Sequence, residues 1–199
     1  MLQNQIIDQL NDFLKNYLNL SYPPLISKDN ISFFSKGDFE AINYKRSDMN
    51  AVKTIHWFED FYFYIQVNFS RDYLQKMISV SVFQGAVTDK RKNQLFRAEW
   101  DDHNIEAESR PQPHWHITRD KANFENFSEL INSSDDVETS SFELFEMSND
   151  EIYDTKKIHF AMSSNWQLNE SPVHKIDDAK KVVNWLEGLM EHIKYELIN

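Results

Sequence analysis

Along residues 2 to 20 apolar side chains recur at Leu2, Ile6, Leu10, Phe13, Tyr17 and Leu20, with Ile7, Leu14 and Leu18 beside them. Steps of three and four residues put one apolar stripe on one side of a helix. The spacing predicts an amphipathic helix over 2–20, stopped by Pro23 and Pro24, which lack amide donors and push their predecessors out of helical backbone. From about Phe39 the period changes to two. Phe61, Phe63, Ile65, Val67 and Phe69 alternate with Tyr62, Tyr64, Gln66 and Asn68, a strand with one apolar and one polar face. Further strands are expected at 39–46, 52–58, 77–86, 94–101 and 113–119, linked by short polar turns such as Glu59-Asp60 and Thr88 to Asn93. Links this short favour an antiparallel meander over 39–119, because parallel neighbours need crossovers of a dozen or more residues.

Helical spacing returns through Phe124, Phe127 and Ile131, within a helical segment expected over 120–150. Ile158, Phe160 and Met162 then alternate with His159 and Ala161, predicting a late strand over 156–163. The last stretch, 178–197, aligns Val182, Leu186, Leu189, Ile193 and Leu197 behind an Asp177/Asp178 cap, a second amphipathic helix. No repeat and no flexible linker divides the chain, so residues 1–199 read as one domain. The expected class is α+β: a two-layer arrangement with a mostly antiparallel sheet of about six to seven strands and the N-terminal and C-terminal helices on one face. The other sheet face is left partly polar.

Composition narrows the chemistry. Cysteine is absent, which excludes disulfides, iron–sulfur clusters, thiolate-bound haem and thiol nucleophiles. With only Gly37, Gly85 and Gly188, no phosphate-cradling loop and no nucleotide-cofactor motif can be written. No stretch has the roughly 18 uninterrupted apolar residues of a membrane span, and Gln3, Asn4, Gln5 and Asp8 break any secretory core, so a cytoplasmic location is expected. The formal charge is −11. Residues 99–155 carry sixteen acids against three bases, a net of −13, while the rest sums to +2. That field argues against general double-stranded nucleic-acid binding and fits a basic protein partner. The acids after Asp120 fit a solvating surface as well, and Lys90-Arg91-Lys92 reads as a solvated turn.

Candidate chemistry gathers where Arg97, Glu99 and Asp101 precede His114, His116 and Thr118. In extended strands every second residue points the same way, so each triplet lines one face. Pairing of 94–101 with 113–119 brings the two triplets to a common face, under a connection of about ten residues rooted at His103. His159 joins if the late strand is adjacent, and His56 is a more remote candidate. His114 and His116 with Glu99 or Asp101, and His103 nearby, offer a two-histidine, one-carboxylate set for a divalent transition metal. They equally suit a metal-free acid–base pair, with Arg97 or Arg119 holding an anionic substrate, or a hydrogen-bonded sheet face without catalysis. Tyr62, Tyr64 and Trp115 are candidates for stacking a ring, although aromatic pairs also stabilise sheets by themselves.

His116-Ile117-Thr118 looks like half of the His-x-Thr signature of two-histidine phosphoesterases. The second candidate, His159-Phe160-Ala161, lacks the hydroxyl, and nothing is carried over from that family. The cupin pattern fails too, since Asp120 stands where glutamate is expected and no glycines frame it. Two expectations follow. The first is a non-catalytic binding or accessory module whose acidic third meets a basic protein. The second is a hydrolase of phosphoester or other anionic substrates at the His-x-His/carboxylate cluster. The first needs only the charge asymmetry, whereas the second needs two strands to pair in one register. Oligomeric state is not written in the sequence.

Overall fold

The computed structural model describes residues 2–27, 29–45, 48–89, 92–102, 112–117, 160–161 and 174–198. The first expected helix is α1, Leu2–Tyr17, and the last is α2, Ala179–Ile198. α1 stops three residues short of the expected end. Asn19 takes a left-handed φ of 53°, and the Leu20 amide reaches back to the Lys15 carbonyl at 2.9 Å. This C-cap satisfies carbonyls that the helix leaves open. Leu18 and Leu20 still pack on the core, so the apolar period outruns the helix. α2 starts where expected because Asp178 Oδ1 accepts the Lys180 amide at 2.7 Å.

Between the helices run β1 (Leu25–Ser27), β2 (Ser32–Ser35), β3 (Phe39–Lys45), β4 (Asp48–Phe58), β5 (Phe61–Phe69), β6 (Lys76–Gln84), β7 (Asn93–Asp101), β8 (His114–Ile117) and β9 (Phe160–Ala161). Every ladder is antiparallel, and β3 to β8 each pair with the next strand, the expected meander. β1 and β2 add a hairpin that alternation did not predict. Its Ser-Phe-Phe-Ser strand has no contrast between faces; its turn is set by Asp29, whose Oδ1 accepts the Ile31 and Ser32 amides at 3.1 and 2.7 Å. Those two amides hold the Asp29 carboxyl below its usual range. The expected segment 120–150 lies outside the described residues, as does most of 156–163, of which Phe160–Ala161 is β9.

Phe63, Ile65, Val67, Ile78, Val80, Val82, Ala98 and Trp100 share one sheet face. They form a single core with Ile6, Leu10 and Leu14 of α1 and Val182, Leu186, Leu189 and Ile193 of α2. The fold is therefore α+β with both helices on one side, as expected. The opposite face is not left open. The ladder of β3 with β4 ends at Phe39–Thr54, and β4 joins β5 only from Ile55 onward. The hairpin thus turns out of the sheet and lies over it, and Tyr44 meets β7 by donating its amide to Gln94 Oε1 at 2.6 Å. Asn43 Oδ1 accepts the Ser81 hydroxyl at 2.9 Å. A second small core of Ala41, Tyr62 and Phe83, with Phe39, Val52 and Tyr64 around it, fills the gap.

This cover also corrects the expected basic turn. Lys92 is 2% exposed, with its ammonium 4.5 Å from the centre of the Tyr62 ring and bonded to the Asp89 carbonyl at 2.7 Å. The long methylene stem is buried while the charge is met by a ring face and a carbonyl. Burial pulls the Lys92 ammonium below its usual range. Lys90 and Arg91 lie outside the described residues.

The bend in β4 depends on Gly37. A Cβ there would sit 1.9 Å from the Thr54 carbonyl oxygen. Gly37→Ala is therefore expected to force the two backbones apart and cost about 3 kcal/mol in denaturant unfolding. A cost below about 0.5 kcal/mol would show that the close approach is not required.

A second test concerns the contact between the helices. Burial, with Glu191 beside it, pushes the Tyr17 hydroxyl up to about 12 from 10.0. A phenol whose folded value is raised gives stability that is complete below about pH 10 and is lost as the pH climbs towards 12. Between pH 9 and 12 the wild-type denaturation midpoint is expected to fall further than that of Tyr17→Phe. Parallel curves would refute the assignment.

Candidate metal centre

β7 and β8 pair with Arg97 opposite His116 and Glu99 opposite His114. Alternation turns all four to the face that the β3–β4 hairpin covers, away from the helices. A bulge makes this compatible with the core. The ladder skips Leu95, so that Gln94 faces Phe83 while Phe96 faces Val82, and Leu95 packs on the main core although it shares parity with Arg97.

Three donor atoms converge. His114 Nε2 lies 2.8 Å from His116 Nε2, which lies 2.9 Å from Glu99 Oε2. The third edge, His114 Nε2 to Glu99 Oε2, is 3.9 Å. A nitrogen–nitrogen contact this short places one N–H between the two rings, one Nε2 donating and the other accepting. Three protein donors at about 2.0–2.2 Å from a tetrahedral ion stand about 3.3 Å apart, and the three edges straddle that value. The cluster is enclosed: His114 is 1% exposed, and the side chains of His116 and Glu99 are each 12% exposed. No other group of three or more such donors is found among the described residues.

Arg97 stands behind the carboxylate. Its Nε lies 3.0 Å from Glu99 Oε1, on the side away from the imidazoles, and its Nη1 donates to the Tyr44 carbonyl at 2.9 Å. The guanidinium expected to hold a substrate is thus engaged by the protein's own carboxylate and by the hairpin that crosses it.

The rest of the expected set is dispersed. Asp101 follows on the same face but is not among the converging donors; its amide donates to Gln112 Oε1 at 2.9 Å. His103, Thr118, Arg119 and His159 lie outside the described residues. Tyr62 is 0% exposed beneath Phe39, with ring centres 5.0 Å apart, so it is a core residue and not a stacking platform. Tyr64 is half-buried at the edge of the same small core, where burial raises its hydroxyl. Trp115 faces the helices, against Phe96 and His192. His56 bonds to the Glu59 carbonyl, with β5, β6 and β7 between its strand and β8. A cavity of about 390 Å³ opens beside α2 between Trp100, Pro113, His174, Lys181 and Trp185, and the histidine cluster does not line it.

Residues that sequence reasoning did not mark hold the two strands in place. Asp102 caps the end of β7: its carboxylate accepts the Lys76 amide, the Lys76 ammonium at 3.4 Å and the Ile176 amide at 3.2 Å. Gln112, just before β8, accepts the His174 amide on its carbonyl at 3.1 Å, and Trp100 Nε1 donates to the His174 carbonyl at 2.6 Å. These bonds tie β6, β7, the start of β8 and the approach to α2 together at one end of the sheet.

No family model matches the chain, and no curated protein and no solved structure matches it. Among the described residues no helix is long and apolar enough to cross a membrane.

Asp102→Ala removes the counter-charge of the buried Lys76 ammonium, leaving it only the Leu74 carbonyl at 3.0 Å, and strands the Lys76 and Ile176 amides. It is expected to cost about 3–5 kcal/mol in denaturant unfolding. A loss under 1 kcal/mol would mean that water replaces the carboxylate at no consequence.

Proposed function

We propose that Glu99, His114 and His116 bind one divalent transition metal ion and that the centre serves hydrolysis of a phosphoester or another anionic substrate. The observation that carries this reading is the convergence of two Nε2 atoms and one carboxylate oxygen, all mutually within 4.8 Å. Imidazole and carboxylate donors suit zinc, and also iron, nickel or manganese. The three donors found among the described residues would leave a coordination position for water, the arrangement of catalytic rather than structural zinc. An ion held by these residues would lower the pKa of bound water and so would supply a nucleophile near neutral pH. The enclosed setting strengthens each charge interaction relative to bulk water.

A second reading, a non-catalytic module docking a basic protein, is supported by the concentration of acidic residues in 99–155. Much of that stretch lies outside the described residues. Docking of a basic partner and metal binding at the cluster do not exclude each other, since of the sixteen acids in 99–155 only Glu99 is a proposed ligand. Absence of cysteine is compatible with a reducing cytoplasm.

Purified chain exchanged against zinc is expected to retain about one equivalent by elemental analysis, as a three-ligand site requires. Its hydrolysis of an aryl phosphodiester should vanish on chelation. The double variant His114→Ala with His116→Ala should retain neither metal nor activity. Wild-type protein that holds no metal above background would sink the proposal. Salt-sensitive binding of a basic protein would then leave the docking reading standing.

A further inference from the structure

The cavity beside α2 is separate from the histidine cluster, and its occupant does not depend on a metal. Trp100 follows Glu99 in β7 and therefore faces the helices, on the opposite side of the sheet from the cluster. The volume of about 390 Å³ falls within the range of about 300–1,000 Å³ in which proteins hold small ligands. Trp100 supplies one wall and Pro113, just before β8, another. Lys181, Asn184 and Trp185 come from the first turns of α2, where steps of three and four residues put them on one side of the helix. The Trp100 and Trp185 rings meet edge to face, with centres 5.6 Å apart and planes at 68°.

The walls hold polar atoms that the protein does not satisfy. Trp100 Nε1 is used, donating to the His174 carbonyl at 2.6 Å, and the His174 amide donates to the Gln112 carbonyl at 3.1 Å. By contrast, Trp185 Nε1 and His174 Nε2 are shielded from solvent and have no hydrogen-bond partner among the described residues. An unpaired buried polar group costs on the order of 1–3 kcal/mol, and folded proteins keep few of them. Two such groups share the wall of one cavity. Both side chains are only half-buried, so a small rotation of either ring presents its nitrogen to an occupant. The charges of the rim are unequal as well. Lys181 is engaged by Asp177 at 2.8 Å, whereas the exposed Lys175 has no ion-pair partner among the described residues.

We propose that this cavity binds a small aromatic carboxylate. The ring packs against the two indoles and Pro113. The carboxylate accepts hydrogen bonds from Trp185 Nε1 and from His174 Nε2, in the tautomer that carries its proton there, and takes Lys175 as its counter-ion. A neutral sugar would use the rings and Asn184 but would draw nothing from Lys175. One free ammonium matches a single negative charge, which favours a carboxylate over a phosphate monoester.

The test is a titration of the full ¹⁵N-labelled chain with 2-naphthoate, followed by calorimetry and by the indole N–H resonances, that of Trp185 being assigned by its loss in Trp185→Phe. The Trp185 resonance is expected to move downfield as its N–H gains an acceptor, with a dissociation constant below about 1 mM. The same ring without the charge, 2-naphthamide, and the charge without the ring, acetate, should each bind at least about tenfold more weakly. Lys175→Ala changes only an exposed side chain. It should weaken 2-naphthoate about three- to fivefold and leave 2-naphthamide unchanged.

A Trp185 resonance that stays in place at millimolar 2-naphthoate overturns the proposal. Equal affinity for 2-naphthoate and 2-naphthamide does the same, as does unchanged 2-naphthoate affinity in Lys175→Ala. The calorimetric comparison of the three probes on wild-type chain needs no variant to fold.

Discussion

Two rows of side chains cross the middle of the sheet on its polar face. One runs Gln66, Ser79, Glu99 and His114, the next Tyr64, Ser81, Arg97 and His116, each residue directly opposite its neighbour. Four of these eight are ionisable groups of one cluster, and most of the row is shielded from water. A slip of one residue in any of these ladders would send Glu99 or His114 into the apolar core and bring Ala98 or Trp115 out. Register in this region is thus specified from both faces at once. The apolar face alone would tolerate exchanges of similar volume; the charged one tolerates no mispairing.

That demand explains features that look unrelated in the chain. The hairpin must leave the plane of the sheet to shield the row, which calls for a bend in β4 and a residue without Cβ at Gly37. The Leu95 bulge lets β7 begin with Gln94 facing the hairpin and continue with Arg97 on the same side, since three steps in a regular strand would have put them on opposite faces. Gln94 then meets the Tyr44 amide and Arg97 the Tyr44 carbonyl. One residue of the hairpin is thus held by both its amide and its carbonyl. The polar face consequently has a lid whose position is read out by the same guanidinium that orients Glu99.

What was legible in the sequence was whatever depends on period. Both terminal helices and the six strands expected over 39–119 appear because one side of each is buried against the same core, and the pairing of β7 with β8 follows from the alternation of Arg97, Glu99, His114 and His116. Less legible were features that arise from the arrangement of elements. Tyr62 and Lys92 looked solvent-facing because tyrosine and lysine on a polar face usually are; only the hairpin folding back turns them into core. Trp115 shares its strand with both histidines, yet its odd position between them sends it to the helices. The end of α1 was masked by Leu18 and Leu20, which pack without being helical. Asp102 gave no signal, since an acid after a strand resembles any polar turn.

Glu99 is met by Arg97 on one oxygen and by the His116 imidazole on the other, so burial and charge pairing by themselves do not call for an ion. The distinguishing feature is the second imidazole. A ring that served only to satisfy Glu99 would direct its nitrogen at an oxygen, as His116 does at 2.9 Å. His114 instead directs Nε2 at the Nε2 of its neighbour at 2.8 Å, and the same atom is 3.9 Å from the carboxylate. A nitrogen–nitrogen contact leaves one lone pair facing a single shared proton, a weaker partner than the carboxylate. A cation between the three atoms would satisfy all three lone pairs together. Arg97, whose Nε lies 3.0 Å from the other carboxylate oxygen, holds Glu99 in the orientation that aims Oε2 at the imidazoles.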